Sequence, residues 1–223
     1  QMYPVENDRL LKETEPTPGS ILAVHFKLYG GDGVSLQSQV LHRVLRENSW
    51  KIFECCSDLP NGKQGLLLPE ISYQTAENRN LSERIFQPES LKDENEPLAL
   101  LEAQAKKIRN KVEAYLKANN IEIVHLHNIF SVPFNPAATL AFYDLASKRQ
   151  DIHFIAQHHD LINEGRQGIF STSTYSKISA RINEAVLPNL PNIKHVALSK
   201  IAASQMKLEK GIDAVVIPDG FDF

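Results

Sequence analysis

The feature that most restricts what this chain can fold into is an alternation of short, uninterrupted apolar runs with longer stretches whose apolar residues recur every three or four positions. The run over residues 21–26 has no polar face, as expected of a strand covered on both sides in a parallel sheet. It leads through Tyr29-Gly30-Gly31-Asp32-Gly33-Val34-Ser35 into a segment where Leu36, Val40 and Val44, flanked by Leu41 and Leu45, keep helical spacing, and then into a second apolar run over 50–56. Strand, glycine turn, helix and strand make one βαβ unit. The alternation returns downstream, with strands over 121–127, 152–158, 193–198 and 214–217, helices near 136–147 and 176–187, and a last helix that Ser199 caps and Gly211 ends. The longest helical pattern runs from Pro97, with Leu98, Leu101, Ala105, Ile108, Val112, Tyr115 and Leu116 on one stripe, to Asn119 and Asn120. Between 57 and 96 the chain is rich in Asn, Pro, Gln and Glu with one short apolar patch, Leu66-Leu67-Leu68, which predicts one strand and a long irregular excursion. The whole predicts an α/β fold: a doubly wound, mostly parallel sheet with right-handed crossovers and helices on both faces, in a single domain.

Length and charge exclude several classes. A chain of 223 residues, 42% of them hydrophobic, needs no disulfide or structural metal, because folding at this size buries roughly 70% of the unfolded surface. Its 24 Lys and Arg against 27 Asp and Glu leave a net charge of −3, which argues against a nucleic-acid binder built on a basic stripe. The two cysteines, Cys55 and Cys56, are adjacent in an apolar run and read as reduced, packed thiols of a cytoplasmic protein. No stretch approaches about 18 consecutive apolar residues, and residues 1–19 form a polar tail without a hydrophobic signal core. The expectation is a cytoplasmic protein with no transmembrane segment, free or at the membrane periphery.

In an open parallel sheet, ligands bind outside the carboxyl ends of the strands. The first such end carries Gly30, Gly31, Asp32 and Gly33, where glycines let backbone N–H groups approach an anion at a helix N-terminus. It is not a Walker loop, because no Gly-Lys-Ser/Thr follows, and Leu36 stands where a dinucleotide fingerprint needs its third glycine. A tight turn without a ligand is the plainer reading. The next ends are His125-Leu126-His127-Asn128 and His158-His159-Asp160, which the topology brings together. Strand alternation puts His125 and His127 on one face, with only His127 and Asn128 at the mouth. His127, His158, His159 and Asp160 are types that suit zinc or iron, but no ligand spacing supports a metal, and none is expected. A His159 and Asp160 pair aimed at a sugar hydroxyl is better motivated, since imidazole can donate or accept and a carboxylate can fix its tautomer.

Read in order, the Gly-Gly loop after the first strand, the strand ending in His159-Asp160, Val196-Ala197-Leu198-Ser199-Lys200 and Val216-Ile217-Pro218-Asp219-Gly220-Phe221-Asp222 resemble the N-terminal domain of retaining GT-B glycosyltransferases of family 4, the group 1 transferases. Asp219 stands where that family usually has Asn. The resemblance covers residues 20 to 223 and implies a Rossmann-like, acceptor-side domain over 20–218. It makes 219–223 the start of a linker to a C-terminal, donor-binding domain that this chain lacks. It implies transfer of a sugar from a nucleotide-sugar donor, as co-substrate, to a hydroxyl of a sugar or glycolipid acceptor, with no cofactor and no metal. Gly30, Gly31, Asp32 and Gly33 would approach the donor diphosphate, and His159 followed by Asp160 would meet the transferred sugar. Acceptor contacts would come from His127, Asn128, Asn163, Glu164 and Arg166. The competing reading is a nucleotide- or dinucleotide-binding domain of an oxidoreductase or epimerase, in which Asp58, just after the second strand, would meet a ribose.

Overall fold

The structure, a computed structural model, describes residues 19–86, 93–161 and 173–218. Seven strands, all parallel, pair in the order β3-β2-β1-β4-β5-β6-β7: β1 is Ser20–Val24, β2 Lys51–Cys56, β3 Gly65–Leu67, β4 Ile123–His127, β5 His153–His158, β6 Ile193–Ala197 and β7 Val215–Val216. The helices among the described residues are α1 (Gly33–Glu47), α2 (Ala76–Phe86), α3 (Asn95–Asn119), α4 (Pro136–Lys148), α5 (Ser176–Ala185) and α6 (Lys200–Lys210). This is the α/β, Rossmann-like sheet that the alternation of apolar runs predicts. No described helix is long and apolar enough to cross a membrane.

Strand periodicity decides which residues meet which helices. Ile21 and Ala23 in β1 and Ile52 in β2 face one side, packed with Leu45 of α1 and with Trp50. Leu22, Val24, Phe53, Cys55, Val124, Leu126 and Phe154 join the larger core on the other side, with the buried stripe of α3 and with α4. The stripe is the one read from the sequence: Leu101, Ala105, Ile108, Val112 and Leu116 are all buried. Most of α4 is buried, because it lies between α3 and α5 as well as on the sheet. Arg181 of α5 ties that layer together, donating to Asp144 of α4 at 2.7 Å and Glu102 of α3 at 2.9 Å, while Arg109 of α3 reaches Asp144 at 3.2 Å. Cys55 and Cys56 are free and buried, packed as expected.

Caps behave as their residue types require. Ser199 accepts from the Ala202 amide at 3.1 Å, and Gly211 ends α6 in the left-handed region at φ +68°. Edge strand β3 depends on Gly65: a Cβ there would sit 1.9 Å from the Glu54 carbonyl oxygen, so only glycine lets it close on β2.

The stretch from 57 to 96 departs from expectation. Beyond β3 it holds a 3-10 turn, Pro69–Ile71, and the helix α2. That helix buries only Asn78, Leu81 and Ile85, too thin a stripe to stand out in a polar sequence. The local signal was Thr75, whose hydroxyl accepts from the Asn78 amide at 3.2 Å as an N-cap does. The tail up to residue 18, residues 219–223, and with them Asp219 and Gly220, lie outside the described residues.

Phe142 is fully buried in α4 between the helical layers, whereas Leu208 on α6 is 88% exposed. Phe142→Ala should therefore cost about 3–5 kcal/mol of unfolding free energy by cavity formation, and Leu208→Ala should stay within about 0.5 kcal/mol. Urea denaturation midpoints check both.

Candidate functional site

The chain runs outward from β1 to β2 and β3, then returns across the sheet to β4 on the other side of β1. Crossovers thus leave β1 and β4 in opposite directions and open a crevice above their carboxyl ends. A cleft of about 430 Å³ occupies that place. One wall is polar: His25 and Lys27 after β1, Asp32 at the start of α1, and Asn128, His159 and Asp160 after β4 and β5. Another is aromatic. Phe26, Tyr73 and Phe134 pack against one another with ring centroids 5.3–5.9 Å apart, and Tyr73 and Phe134 are half-buried.

The loop from His25 to Gly33 is fixed from below. Both carboxylate oxygens of Asp58 accept backbone amides, from Leu28 at 2.9 Å and Tyr29 at 3.0 Å. Ser57 donates to the Phe26 carbonyl at 2.7 Å, Ser35 to Lys27 at 3.0 Å, and Gln39 to Leu28 at 3.2 Å. Asp58 thus supports the loop from beneath; the ribose contact that the oxidoreductase reading assigns to it finds both its oxygens engaged. Asp32 is the N-cap of α1 and accepts from the Ser35 amide at 2.8 Å. Burial would raise its carboxyl, but the bonds from Ser35 and the charge of Lys27 hold it below the usual range. Of the loop's glycines only Gly31 has a positive φ, +73°. Gly33 opens α1 with nothing within 4 Å of where a Cβ would stand, leaving the helix's first N–H groups approachable.

Beneath the loop lies Glu54, 4% exposed in β2. Arg46 donates to it at 2.9 Å, His42 Nδ1 at 3.2 Å, and the Tyr29 hydroxyl closes the set. Burial alone would raise this carboxyl; the three hydrogen bonds overturn that and bring it down to about 2.

The mouths of β4 and β5 do meet. Asn128 has φ +59°, a left-handed turn that Asn tolerates, and its side-chain oxygen accepts from the amides of His159 at 2.8 Å and Asp160 at 3.2 Å. Its amide nitrogen donates to Asp160 Oδ2 at 2.9 Å. His159 Nε2 lies 3.1 Å from Nδ1 of His127, which is fully buried. His125 shares the His127 face, centroids 4.2 Å apart, and its Nε2 donates to Gln157 at 3.0 Å. His158 points to the opposite face and pairs with His195 at 2.9 Å. The strand thus divides His127 and His159 from His158, and no group of three or more potential metal ligands occurs among the described residues.

Burial is the first cause of a lowered imidazole pKa at His25, His125, His127, His158 and His195, and His125 falls to about 4. Neighbouring imidazoles add to the effect at His127. These five rings are neutral at physiological pH. Besides its histidines, the described cleft wall carries one lysine, Lys27, and two carboxylates, Asp32 and Asp160.

Of the residues singled out from sequence, Asp32, Gly33, Asn128, His159 and Asp160 line the cleft, and His127 lies beneath His159. Asn163, Glu164 and Arg166 lie outside the described residues. Sequence reasoning missed His25, Glu54, Tyr73 and Phe134. The polar Glu54 inside an otherwise apolar strand was the one visible signal among them.

No family model matches the sequence. Over 200 residues, 90% of this chain and 44% of the relative, it is 28% identical to mannosylglucosylglycerate synthase of Petrotoga mobilis. Over 208 residues, 91% of this chain and 45% of the relative, it is 27% identical to mannosylglucosylglycerate synthase of Thermotoga maritima. The chain therefore spans under half the length of the curated relatives it matches. The crystal structure of the Streptomyces sp. SF2575 glycosyltransferase SsfS6 superposes with a TM-score of 0.36 at 11% identity, over 89% of this chain and 48% of that one, too weak a likeness to argue from.

The Glu54 network carries a pH signature. Its folded pKa lies below the ordinary 4.5, so its contribution to stability is complete above that value and is lost as pH falls toward about 2. Glu54→Gln should destabilise the protein at pH 7, and the gap from wild type should shrink between pH 5 and 2. Denaturation series across that range test it.

Proposed function

We propose that this chain is the acceptor-side half of a retaining GT-B glycosyltransferase, which moves a sugar from a nucleotide-sugar donor to a hydroxyl of a sugar or glycolipid acceptor. The observation that carries the reading is the cleft at the β1/β4 switch point, where Asp32, Gly33, His159 and Asp160 converge in a chain similar over nine-tenths of its length to two mannosylglucosylglycerate synthases. The cleft has the amphiphilic character a pyranose requires. Its polar wall offers donors and acceptors to hydroxyl groups, and the rings of Tyr73 and Phe134 offer π faces to the C–H face of a sugar.

In this reading the acceptor hydroxyl attacks the anomeric carbon on the face that the diphosphate leaves, and a phosphate oxygen of the departing group takes the proton. The protein's part is to position both substrates and to stabilise charge on the leaving diphosphate. The first N–H groups of α1, beyond Gly31 and Asp32, are the contribution of this half. His159 would bind the transferred sugar, with Asp160 beside it. The described wall, with one lysine and two carboxylates, cannot by itself neutralise a diphosphate, and in this reading the other half of the relatives' length supplies further cations. No cofactor and no metal are needed for this chemistry. A cytoplasmic location, in contact with soluble nucleotide-sugars, fits it.

In the full-length protein carrying this chain, incubated with UDP-, GDP- or ADP-sugars, His159→Ala should lower turnover by about 10²-fold or more. His153→Ala, an exposed position at the far end of β5, should leave it unchanged. Release of nucleoside diphosphate measures both, and equal effects would place the site elsewhere.

The dinucleotide reading makes the opposite demand on the isolated chain. A dinucleotide-binding domain holds its cofactor mainly with its own first βα turn, whereas an acceptor-side half would make only a few diphosphate contacts against the cost of immobilising the ligand. Calorimetric titration of this chain with nucleotide-sugars or NAD(P)H should show no binding tighter than about 1 mM. Micromolar NAD(P)H binding would overturn the transferase reading.

A further inference from the structure

We infer that buried His127 locks His159 in the Nδ1–H tautomer, so that His159 presents no lone pair to the cleft and cannot act as a base. The proton assignment stands on geometry alone; its consequence for the reaction rests on the glycosyltransferase reading.

Two observations on His127 agree. The Ser38 hydroxyl spends its only proton on the Val34 carbonyl at 2.7 Å, so the Ser38 oxygen that faces His127 Nδ1 at 3.4 Å does so as an acceptor. A second lone pair pointed at it would repel, which calls for a proton on His127 Nδ1. Independently, His127 Nε2 is buried without a partner. A proton there would leave a donor unsatisfied in the interior, where an unpaired N–H is rarer and less tolerated than an unpaired lone pair. The surrounding rings offer Nε2 nothing: the His125 proton goes to Gln157, and His25 Nδ1 donates to the Lys27 carbonyl at 2.6 Å.

His127 Nδ1–H therefore donates to His159 Nε2 at 3.1 Å, with Ser38 as a weaker second acceptor. His159 Nε2 must keep its lone pair to receive it, and a neutral imidazole then has its one proton on Nδ1. Charging His159 would put a second proton against the His127 N–H. With one nitrogen accepting from below and the other already protonated, His159 has no lone pair with which to take a proton from an acceptor hydroxyl. It can bind an oxygen atom but not deprotonate one. That leaves the acceptor proton to the donor's phosphate oxygen, and makes His127 a positioning residue acting through His159.

The same logic resolves the other histidine contacts. His195 Nε2 faces the Pro188 carbonyl at 2.9 Å and must donate, so its Nδ1 accepts from His158 Nε2 at 2.9 Å and leaves His158 Nδ1 as an unpaired lone pair. His158 Nδ1 and His127 Nε2 are both buried without partners, and in this assignment each carries a lone pair and neither a proton.

Long-range proton–nitrogen correlation spectra of the chain labelled with nitrogen-15 histidine read the tautomer directly, with His159→Gln assigning the signals. Wild type should show His159 with a protonated Nδ1 and a bare Nε2. His127→Phe should move it toward the Nε2–H form that histidine favours in water, while His127→Asn, whose side-chain N–H can stand in for the Nδ1 donor, should restore the wild-type pattern. An Nε2–H signal for His159 in wild type overturns the assignment outright, and does so even if His127→Phe fails to fold; an unchanged tautomer in folded His127→Phe overturns the role of His127. In the full-length protein, His127→Phe should lower kcat/KM by about tenfold or more and His127→Asn by less. An active protein indifferent to His127→Phe would refute the consequence for the reaction. A protein that transfers no sugar at all would refute the glycosyltransferase reading instead, with the spectra still deciding the tautomer.

Discussion

The side-chain amide of Asn128 is the contact on which the arrangement of the cleft depends. Strand β4 ends at His127, and the chain must turn sharply there to reach α4 while β5 ends one strand away. Asn128 makes the turn in the left-handed region and uses its oxygen to receive two consecutive amides of the β5 mouth and its nitrogen to hold Asp160. Without that side chain the amides of His159 and Asp160 would lose their shared partner, and each unpaired group in so enclosed a place costs about 1–3 kcal/mol. The strand mouths would then move independently, and the 3.1 Å contact between His127 and His159 requires that they do not.

A second constraint works beneath the first. The floor of the site contains imidazoles from three elements: His42 on α1, His125 and His127 on β4, and His159 after β5. Burial lowers the pKa of His125 and His127, and the neighbouring imidazoles lower both further. Among the described residues Glu54 is the one buried carboxylate close to this group, and His42, Arg46 and Tyr29 engage it so fully that it stays ionised. The rings of His125 and His127 are therefore neutral, and the hydrogen bonds through them are set by tautomers rather than charges. Such a floor supplies direction.

How much of this was legible in the sequence depended on whether the physics was local. Strands covered on both faces must be apolar throughout, so β1, β2, β4, β5 and β6 could be read to within two residues, and the α3 stripe was unmistakable because one helix repeats it seven times. Helix α2 escaped because only Leu81 and Ile85 anchor it. The cleft residues at strand ends, His127, Asn128, His159 and Asp160, could be found because topology puts strand ends together whatever the details. Glu54, Tyr73 and Phe134 could not, since their meaning lies in partners from other elements: Tyr29, His42 and Arg46 for the glutamate, and Phe26 for the two aromatic rings. His159 Nε2 also lies against His127 and Asp160 accepts from Asn128, partners some thirty positions away that no local spacing announces.

Charge supplies the last step. A half-site that carried enough cations to bind a diphosphate alone would hold the nucleotide with or without its counterpart, and would retain the departing diphosphate after transfer. The described wall, with Lys27 against Asp32 and Asp160, instead attracts an anion through that one lysine and through α1's first N–H groups. Those groups act over the first helical turn and are worth about 0.3–1 kcal/mol where solvent reaches them. Once a partner domain closed over the cleft and excluded water, the same N–H groups and the Lys27 charge would act in a lower dielectric and gain several-fold in strength. On the glycosyltransferase reading proposed above, a wall weak in the open state and strong in the closed one would couple binding of the donor to closure, so that stabilisation of the leaving group would be complete only when acceptor and donor were enclosed together.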